Sequence, residues 1–306
     1  MASITNPLRL SVIINNYNYS QYIEECIQST LKQTRPADEI IFVDDGSTDN
    51  SLEIVERYRD HVKIISQPNG GQLSAVMTGT DASTGDILLY LDSDDIWKDI
   101  HLETVENTFK SAPGLGCLFT SLELFGSETG PHRKNKLKHP SKLNESKLIT
   151  YYLDQFLGRP TSSGAFRSAP MKQVLAACRG IESDFKVCAD KVLSQGASLI
   201  GMSKLFIDDC TVRYRTHDSN AFYNADRRTE EEKQLKYRNN LICSRIQLNY
   251  PFNKDTNALI REIKKNQNAQ LFKLYYRRVP KRMQLSEISK ALLKCRLRII
   301  TYRLDN

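Results

Sequence analysis

The ten residues Asp86–Asp95, DILLYLDSDD, decide the fold of this sequence. The apolar run predicts a strand over Asp86–Leu91 that is buried on both faces, as in a parallel sheet covered by helices. That strand runs directly into Asp92, Asp94 and Asp95. Because neighbouring carboxylates repel one another, this cluster favours a bound divalent cation, which prefers oxygen ligands. A solvated Asp-rich turn that only precedes the next helix is the plainer alternative.

Two further apolar strands are predicted upstream, at Leu10–Asn15 (LSVIIN) and Glu39–Asp44 (EIIFVD). Between them apolar residues recur at helical spacing, and Ser20 is expected to cap that helix. Continuously apolar strands that alternate with helices predict an α/β fold, a mostly parallel twisted sheet flanked by helices.

The remaining predicted elements continue this alternation, less regularly after about residue 113. Further strands are expected at Val62–Ser66, Cys117–Leu124, Ser163–Phe166 and Leu205–Asp208. Further helices are expected at Asn50–Arg59, Leu73–Thr80, Leu143–Leu157, Pro170–Cys178 and Lys186–Gln195. We expect residues 1–220 to form the α/β body and residues 221–306 a helical C-terminal extension.

Polar residues follow the ends of three predicted strands. Asn16, Tyr17 and Asn18 follow the first strand, and Asp45 follows the second. Ligands bind beyond the carboxyl ends of the strands in an open parallel sheet, so these residues and the Asp92–Asp95 cluster are expected at one rim. The Asp45 carboxylate could accept a hydrogen bond from a ring N–H such as that of uracil, the alternative being a structural role.

A glycine pair, Gly70-Gly71, precedes Gln72 at the start of a predicted helix. Small residues let backbone N–H groups approach a ligand, and a helix N-terminus favours anions. A plain glycine turn between a strand and a helix explains the same residues.

Composition narrows the class of protein. The chain contains no apolar run of about 18 residues, the length that spans a bilayer, and its N-terminus lacks the pattern of a secretory signal. Its seven cysteines are scattered and never form CxxC, which argues against a disulfide framework or a structural zinc site. We therefore expect a cytoplasmic protein.

The net charge of +7 is concentrated toward the C-terminus. Residues 226–306 hold 20 Lys and Arg against 8 Asp and Glu, whereas the first 225 residues carry a net charge of −5. Basic residues lie among apolar ones at helical intervals: Lys264, Lys265, Lys273, Arg277, Arg278, Lys281, Arg282, Lys290, Lys294, Arg296 and Arg298. This basic tail suits peripheral contact with an anionic membrane, and equally a partner protein or solvent. No nucleic-acid recognition motif accompanies it, so no nucleic-acid partner is expected.

The strand-end motifs, in this order and spacing, resemble the inverting family 2 glycosyltransferases with the GT-A fold. The matching stretches are SVIINNYNYSQYIEECIQSTLKQT, EIIFVDDGSTDNS, NGGQLSAVMTGTDASTGDILLYLDSDDIW, VCADKVLSQGASLIG and VRYRTH. The resemblance covers roughly residues 10–220 and is most specific in its first hundred. Asn15-Asn16 and Ala75-Val76-Met77 depart from the family's usual Pro-Thr and Ala-Arg-Asn, which leaves the donor preference open.

The resemblance implies that Tyr17 and Asp45 hold the nucleotide base and that Asp92 and Asp94 form the DxD pair. The implied donor-binding residues are Asn16, Tyr17, Asn18, Asp45, Gly71, Gln72, Asp92, Ser93, Asp94 and Arg215. The implied ligands of Mn²⁺ or Mg²⁺ are Asp94, Asp95 and His217, with the choice between the two carboxylates open.

The resemblance also places a catalytic carboxylate in the second half, ahead of a Tyr-Arg-x-His segment. Asp190 fits that position, with Glu182 and Asp184 as rivals. The implied reaction moves a sugar from a nucleoside diphosphate, with UDP favoured, to a hydroxyl of a glycan or lipid-linked acceptor, in cell-surface polysaccharide or glycan synthesis. A catalytically inactive, nucleotide-sugar-binding regulatory protein is the alternative.

Overall fold

The structure, a computed structural model of the chain, describes residues 7–132, 141–153, 156–218, 220, 228–252, 259, 261, 262 and 265. The strands are β1 Leu10–Asn16, β2 Glu39–Asp44, β3 Lys63–Ser66, β4 Ile87–Asp92, β5 Ile96–Trp97, β6 Cys117–Gly126, β7 Gly130–Pro131, β8 Ser141–Leu143, β9 Gly164–Arg167 and β10 Lys204–Thr216. The helices are α1 Ser20–Leu31, α2 Ser51–Glu56, α3 Gln72–Asp81, α4 His101–Ser111, α5 Lys147–Leu153, α6 Ser168–Ala177, α7 Ala189–Leu199 and α8 Arg228–Asn249. Short 3₁₀ helices lie at Thr161–Ser163 and Glu182–Phe185.

These strands form one sheet in the order β3-β2-β1-β4-β9-β6-β10-β5, with β7 beside β6 and β8 beside β10. Strands β3, β2, β1 and β4 are parallel, β9 runs antiparallel to both of its neighbours, and β6 and β10 are again parallel. Asn16 pairs with Asp44, and Asn15 pairs with Asp92, so three strands end at one rim. The predicted fold class is confirmed.

The core lies on both faces of the sheet because the central strands are apolar at successive positions. Ile13 and Tyr90 join a cluster under α3, α6 and α7, whereas Val12, Ile14 and Leu89 pack on the opposite face with α1 and α4. Successive residues of a strand point to opposite faces, which accounts for this division.

The predicted cap of α1 is wrong. Tyr19 occupies the N-cap position without a side-chain capping bond, and Ser20 is the first residue of the helix. The Asp49 carboxylate, from the loop after β2, accepts the Ser20 backbone N–H at 2.9 Å. The hydrogen-bond acceptor at the start of α1 is therefore a carboxylate from a distant loop, and not the Ser20 hydroxyl that the local sequence predicted.

Two elements of the second half differ from the sequence prediction. The helix expected over Leu143–Leu157 is shorter in the structure, where α5 spans Lys147–Leu153. Leu143 itself lies in β8, which pairs with β10. The strand expected over Leu205–Asp208 extends to Thr216, with register shifts on either side of Cys210. Such irregularities interrupt the alternation by which a strand is recognised.

The described part of the C-terminal extension packs against the body. Ile242 and Ile246 of α8, together with Leu259, belong to the same buried cluster as Tyr90. The boundary expected between residues 220 and 221 remains a prediction. Most of the basic tail lies outside the described residues, and so does any membrane contact that it makes.

Within the described ranges, each helix is too short or too polar to cross a membrane.

Candidate active site

Asn16 ties the three strand ends of the rim together. Its side-chain N–H group donates to Asp44 Oδ1 and to Ser47 Oγ, both at 3.0 Å. Its side-chain oxygen Oδ1 accepts from Ser93 Oγ at 2.7 Å. Asn16 is nearly fully buried, so this predicted donor-binding residue, with Ser93, builds the floor of the rim.

Tyr17 and Asn18 form the next turn of the rim. The backbone of Asn18 is left-handed, with φ +57°. Its N–H donates to Ser47 Oγ at 2.9 Å, and its side-chain oxygen accepts from Thr48 N at 2.7 Å. Tyr17, at this tight turn, is 46% exposed.

Asp45 is buried and accepts three hydrogen bonds. Its Oδ1 accepts from Gln67 Nε2 at 2.6 Å and from Gly70 N at 2.9 Å, and its Oδ2 accepts from Gly71 N at 2.7 Å. The glycine N–H groups that the sequence offered to a ligand therefore have an acceptor within the protein.

The acidic cluster at the end of β4 is crowded and desolvated. Asp92 Oδ1 accepts from Asn15 Nδ2 at 2.9 Å and from Gln72 Nε2 at 2.8 Å. Burial, followed by the charge of Asp94, raises the pKa of Asp92 to about 7. The same two causes raise the pKa of Asp95 well above its usual range. The neighbouring charges thus disfavour one another.

Asp94 meets His217 across the site. His217 Nε2 lies 3.0 Å from Asp94 Oδ2 and 3.0 Å from Asn220 Nδ2. The imidazole is flanked by the rings of Tyr19 and Tyr22, with centroids 5.5 and 5.0 Å away. The end of β10 and the start of α1 therefore converge on the DxD segment.

Arg215 braces this corner. Its backbone N–H donates to Asp95 Oδ1 at 2.8 Å, and its Nε donates to the Asp94 carbonyl at 2.8 Å. The guanidinium also pairs with Glu25 and lies 4.5 Å from the Tyr22 ring centroid. The predicted diphosphate contact would have to compete with these protein partners.

Asp190 lies in the first turn of α7 and is half-buried. Burial raises its pKa to about 6, against the opposing effect of Lys191. Its charge also contributes to the raised pKa of Asp92, so the two carboxylates lie close enough to interact. Tyr214 is affected by the same charges. Burial raises its pKa, and the charges of the three aspartates after β4 and of Asp190 raise it further.

The rival Glu182 accepts the Gly180 backbone N–H at 2.8 Å. It lines a cavity of about 390 Å³ together with Gly70, Asp81 and Arg179. Asp184 lies in the same 3₁₀ helix, Glu182–Phe185, ahead of α7.

Sequence reasoning missed Ser162 and Asn220. Ser162 Oγ donates to Asp95 Oδ2 at 2.6 Å, and the Ser162 carbonyl accepts from Trp97 Nε1 at 2.7 Å. Asn220 Nδ2 lies 3.4 Å from Asp94 Oδ2. Neither residue stands in a recognisable motif, and both reach the site from distant parts of the chain.

The residues fit a divalent cation through two protein ligands. Over the described ranges, no three His, Cys, Asp or Glu side chains are already arranged around a common point. Asp94 Oδ2 and His217 Nε2 are adjacent, whereas both Asp95 oxygens accept hydrogen bonds from the protein. Mg²⁺ commonly uses one or two protein carboxylates and takes its other ligands from substrate phosphates and water.

Known proteins share this fold. A crystal structure of S. aureus TarS in complex with UDP-GlcNAc superposes with a TM-score of 0.63 at 20% identity, covering 88% of this chain and 73% of that one. At this identity the likeness shows the fold alone.

Sequence relatives point to the family. An uncharacterized glycosyltransferase of Nostoc sp. (strain PCC 7120) is 31% identical over 233 residues, 74% of this chain and 70% of that protein. The chondroitin synthase of Pasteurella multocida is 35% identical over 115 residues, 37% of this chain but only 12% of that protein. The model of the family described as glycosyl transferase family 2 matches residues 11–175, more than half of the sequence. The chain belongs to glycosyl transferase family 2.

Proposed function

We propose that this glycosyltransferase moves a sugar from a UDP-sugar to an acceptor hydroxyl, with a divalent metal and with inversion at the anomeric carbon. The observation that carries the proposal is the convergence of the β4 aspartates with Asp190 of α7, two regions about 95 residues apart in sequence. Their shared effect on the pKa of Tyr214 supports one cleft.

The donor base is assigned to Tyr17 and Asp45. A carboxylate oxygen has two lone pairs, and Asp45 Oδ2 accepts one hydrogen bond, from Gly71 N, so it can still accept uracil N3–H. The exposed Tyr17 ring can stack on the base. Asn16, Asn18, Gly71, Gln72 and Ser93 shape the surrounding rim, and TarS, with the same fold, was solved with UDP-GlcNAc.

The metal, Mn²⁺ or Mg²⁺, is assigned to Asp94 and His217. Asp95 is assigned a supporting role, because both of its oxygens accept hydrogen bonds from the protein. A bound divalent ion would offset the negative charge that develops on the leaving diphosphate. Arg215 holds the Asp94 backbone and the Asp95 carboxylate in place. The mutual repulsion of the β4 carboxylates supports a cation at this position.

Asp190 is assigned as the general base. The acceptor oxygen bonds to the anomeric carbon as the bond from that carbon to the diphosphate oxygen breaks, and the acceptor proton passes to the Asp190 carboxylate. Attack on the face opposite the leaving group inverts the configuration. A pKa of about 6 leaves Asp190 ionised at neutral pH yet basic enough to take a proton.

The acceptor is assigned to the glycan or lipid-linked class, in cell-surface polysaccharide or glycan synthesis. The similarity to part of a chondroitin synthase supports a saccharide acceptor. A cytoplasmic enzyme with a basic tail at the inner membrane surface would meet lipid-linked acceptors. Flotation with liposomes of phosphatidylcholine, with and without phosphatidylglycerol, tests that contact, and binding that ignores salt and anionic lipid would contradict it.

Thermal unfolding with UDP, GDP, CDP or dTDP, each with and without Mn²⁺, tests the donor assignment. A ligand at 100 times its Kd stabilises the native state by about 2.7 kcal/mol. We expect UDP with Mn²⁺ to raise the Tm most. Release of UDP from UDP-glucose, UDP-galactose, UDP-GlcNAc or UDP-GalNAc then tests turnover. Binding without any turnover would favour the inactive regulatory alternative.

A further inference from the structure

The side-chain amide of Gln72 bridges the acidic cluster and the helix that carries Asp190. Its Nε2 donates to Asp92 Oδ1 at 2.8 Å. Its Oε1 accepts the backbone N–H of Ala189, the first residue of α7, at 2.9 Å. One side chain therefore contacts both halves of the site.

The backbone reinforces this bridge. Gln72 N donates to the Lys186 carbonyl at 2.9 Å, so the segment before α7 is held at two points. Gly71 makes the close approach possible, because a Cβ there would lie 2.5 Å from Lys186 Cα. Its φ of +88° also favours glycine. The chain that leads from Lys186 into α7 therefore packs directly against the loop that follows β3.

The bridge requires a neutral amide. A primary amide both donates to a carboxylate and accepts from a backbone N–H. A carboxylate at position 72 would keep the acceptor for Ala189 but would repel Asp92. An aliphatic side chain would remove the acceptor of the Ala189 N–H and one of the two donors to Asp92 Oδ1, a loss that costs free energy in a buried site.

We propose that Gln72 is a positioning residue that fixes the distance between Asp190 and the donor-side carboxylates. The role rests on the proposed function, in which Asp190 is the base. Gln72 acts through Asp92 and Ala189, and it does not itself need to touch the donor. A displacement of about 1 Å at a reacting group can cost on the order of 10²-fold in rate.

The first test is the Gln72→Met variant, with Gln195→Met as its matched control. Gln195 is buried in α7 and donates to Asn239, away from the acidic cluster. We expect Gln72→Met to lower kcat for UDP release on the order of 10²-fold, with the Kd for UDP and Mn²⁺ by calorimetry unchanged within about twofold. Gln195→Met should leave kcat near the wild-type value. An unchanged kcat in Gln72→Met, or a Kd that weakens in step with kcat/KM, would overturn the positioning role.

Hydrogen exchange supplies a test that does not depend on turnover. In Gln72→Met the Ala189 amide should lose protection, whereas in Gln72→Glu it should keep protection while kcat still falls. If the wild-type protein transfers no sugar, the proposed function fails, and exchange at Ala189 still decides whether the bridge exists. Unaltered exchange at Ala189 in Gln72→Met would refute the bridge itself.

Discussion

Two acidic strand ends lie on the same rim, on either side of the end of β1, and their surroundings differ. After β2, Asp44 and Asp45 accept backbone N–H groups, from Ser47 and from the Gly70-Gly71 pair respectively. After β4, the aspartates crowd one another, and burial with mutual repulsion raises the pKa of Asp92 and Asp95. The first set organises loops, whereas the second holds unfavourable charge that a cation would relieve. One sequence pattern thus serves two physical purposes.

The largest effect is expected at Asp94. Asp94→Ala removes a proposed metal ligand, and a metal worth several kcal/mol to the leaving group corresponds to a loss of at least about 10³-fold in UDP release. Its Tm without metal should change little, because the contacts of Asp94 Oδ2 with His217 and Asn220 are lost while a repelling charge disappears. Titration with Mn²⁺ and thermal unfolding measure both quantities.

Asp60→Ala is the matched control, because Asp60 is exposed and lies outside the rim. It should retain wild-type turnover and metal dependence. An Asp94→Ala enzyme with the wild-type response to Mn²⁺ would remove the contrast between the two acidic ends.

The next largest effect is expected at Asp190. Asp190→Asn should lower kcat about 10²–10⁴-fold, the usual contribution of a general base. The variant is nearly isosteric, so the Kd for UDP with Mn²⁺ should stay close to that of the wild type. Single-turnover kinetics and calorimetry separate the two. Near-normal kcat would transfer the role of base to another carboxylate.

The pH profile sharpens the same assignment. Burial raises the pKa of Asp190 to about 6, and only the ionised form accepts a proton. Activity should therefore be constant above about pH 7 and fall toward tenfold per unit below pH 6. The kcat of Asp190→Asn should lack this limb. A limb that persists unchanged in the variant would show that another group titrates.

The sequence predicted the three strand ends of the rim well because the pattern that marks each end is local. The observed last residues of β1, β2 and β4 are Asn16, Asp44 and Asp92, each within one residue of the predicted end. Each apolar run stops at a polar motif, which marks the end of the strand. The register of the parallel strands then brings these ends together. The family and its fold follow from the same stretch.

The second half of the site could not be predicted in the same way. Ser162 and Asn220 reach Asp95 and Asp94 across 67 and 126 residues of sequence. Shifts in register interrupt the residue pattern of β10, so the sequence did not predict that Arg215 lies on this strand. The roles assigned to Asp45 and Asp190 in binding and catalysis remain predictions.

The smallest effect, on stability, separates the two acidic ends most directly. In Asp45→Asn one amide N–H₂ must face a backbone N–H or the Gln67 amide, so a buried donor loses its acceptor, at a cost of about 1–3 kcal/mol. In Asp92→Asn the side-chain oxygen can still accept from Asn15 and Gln72, and one repelling charge is removed. Urea unfolding of the metal-free protein at pH 7.5, a value chosen to be about half a unit above the Asp92 pKa of about 7, should therefore show a loss for Asp45→Asn and no loss for Asp92→Asn. Equal destabilisation of the two variants would mean that both aspartates serve mainly as hydrogen-bond acceptors for the fold, and the electrostatic argument for a cation at β4 would lose its basis.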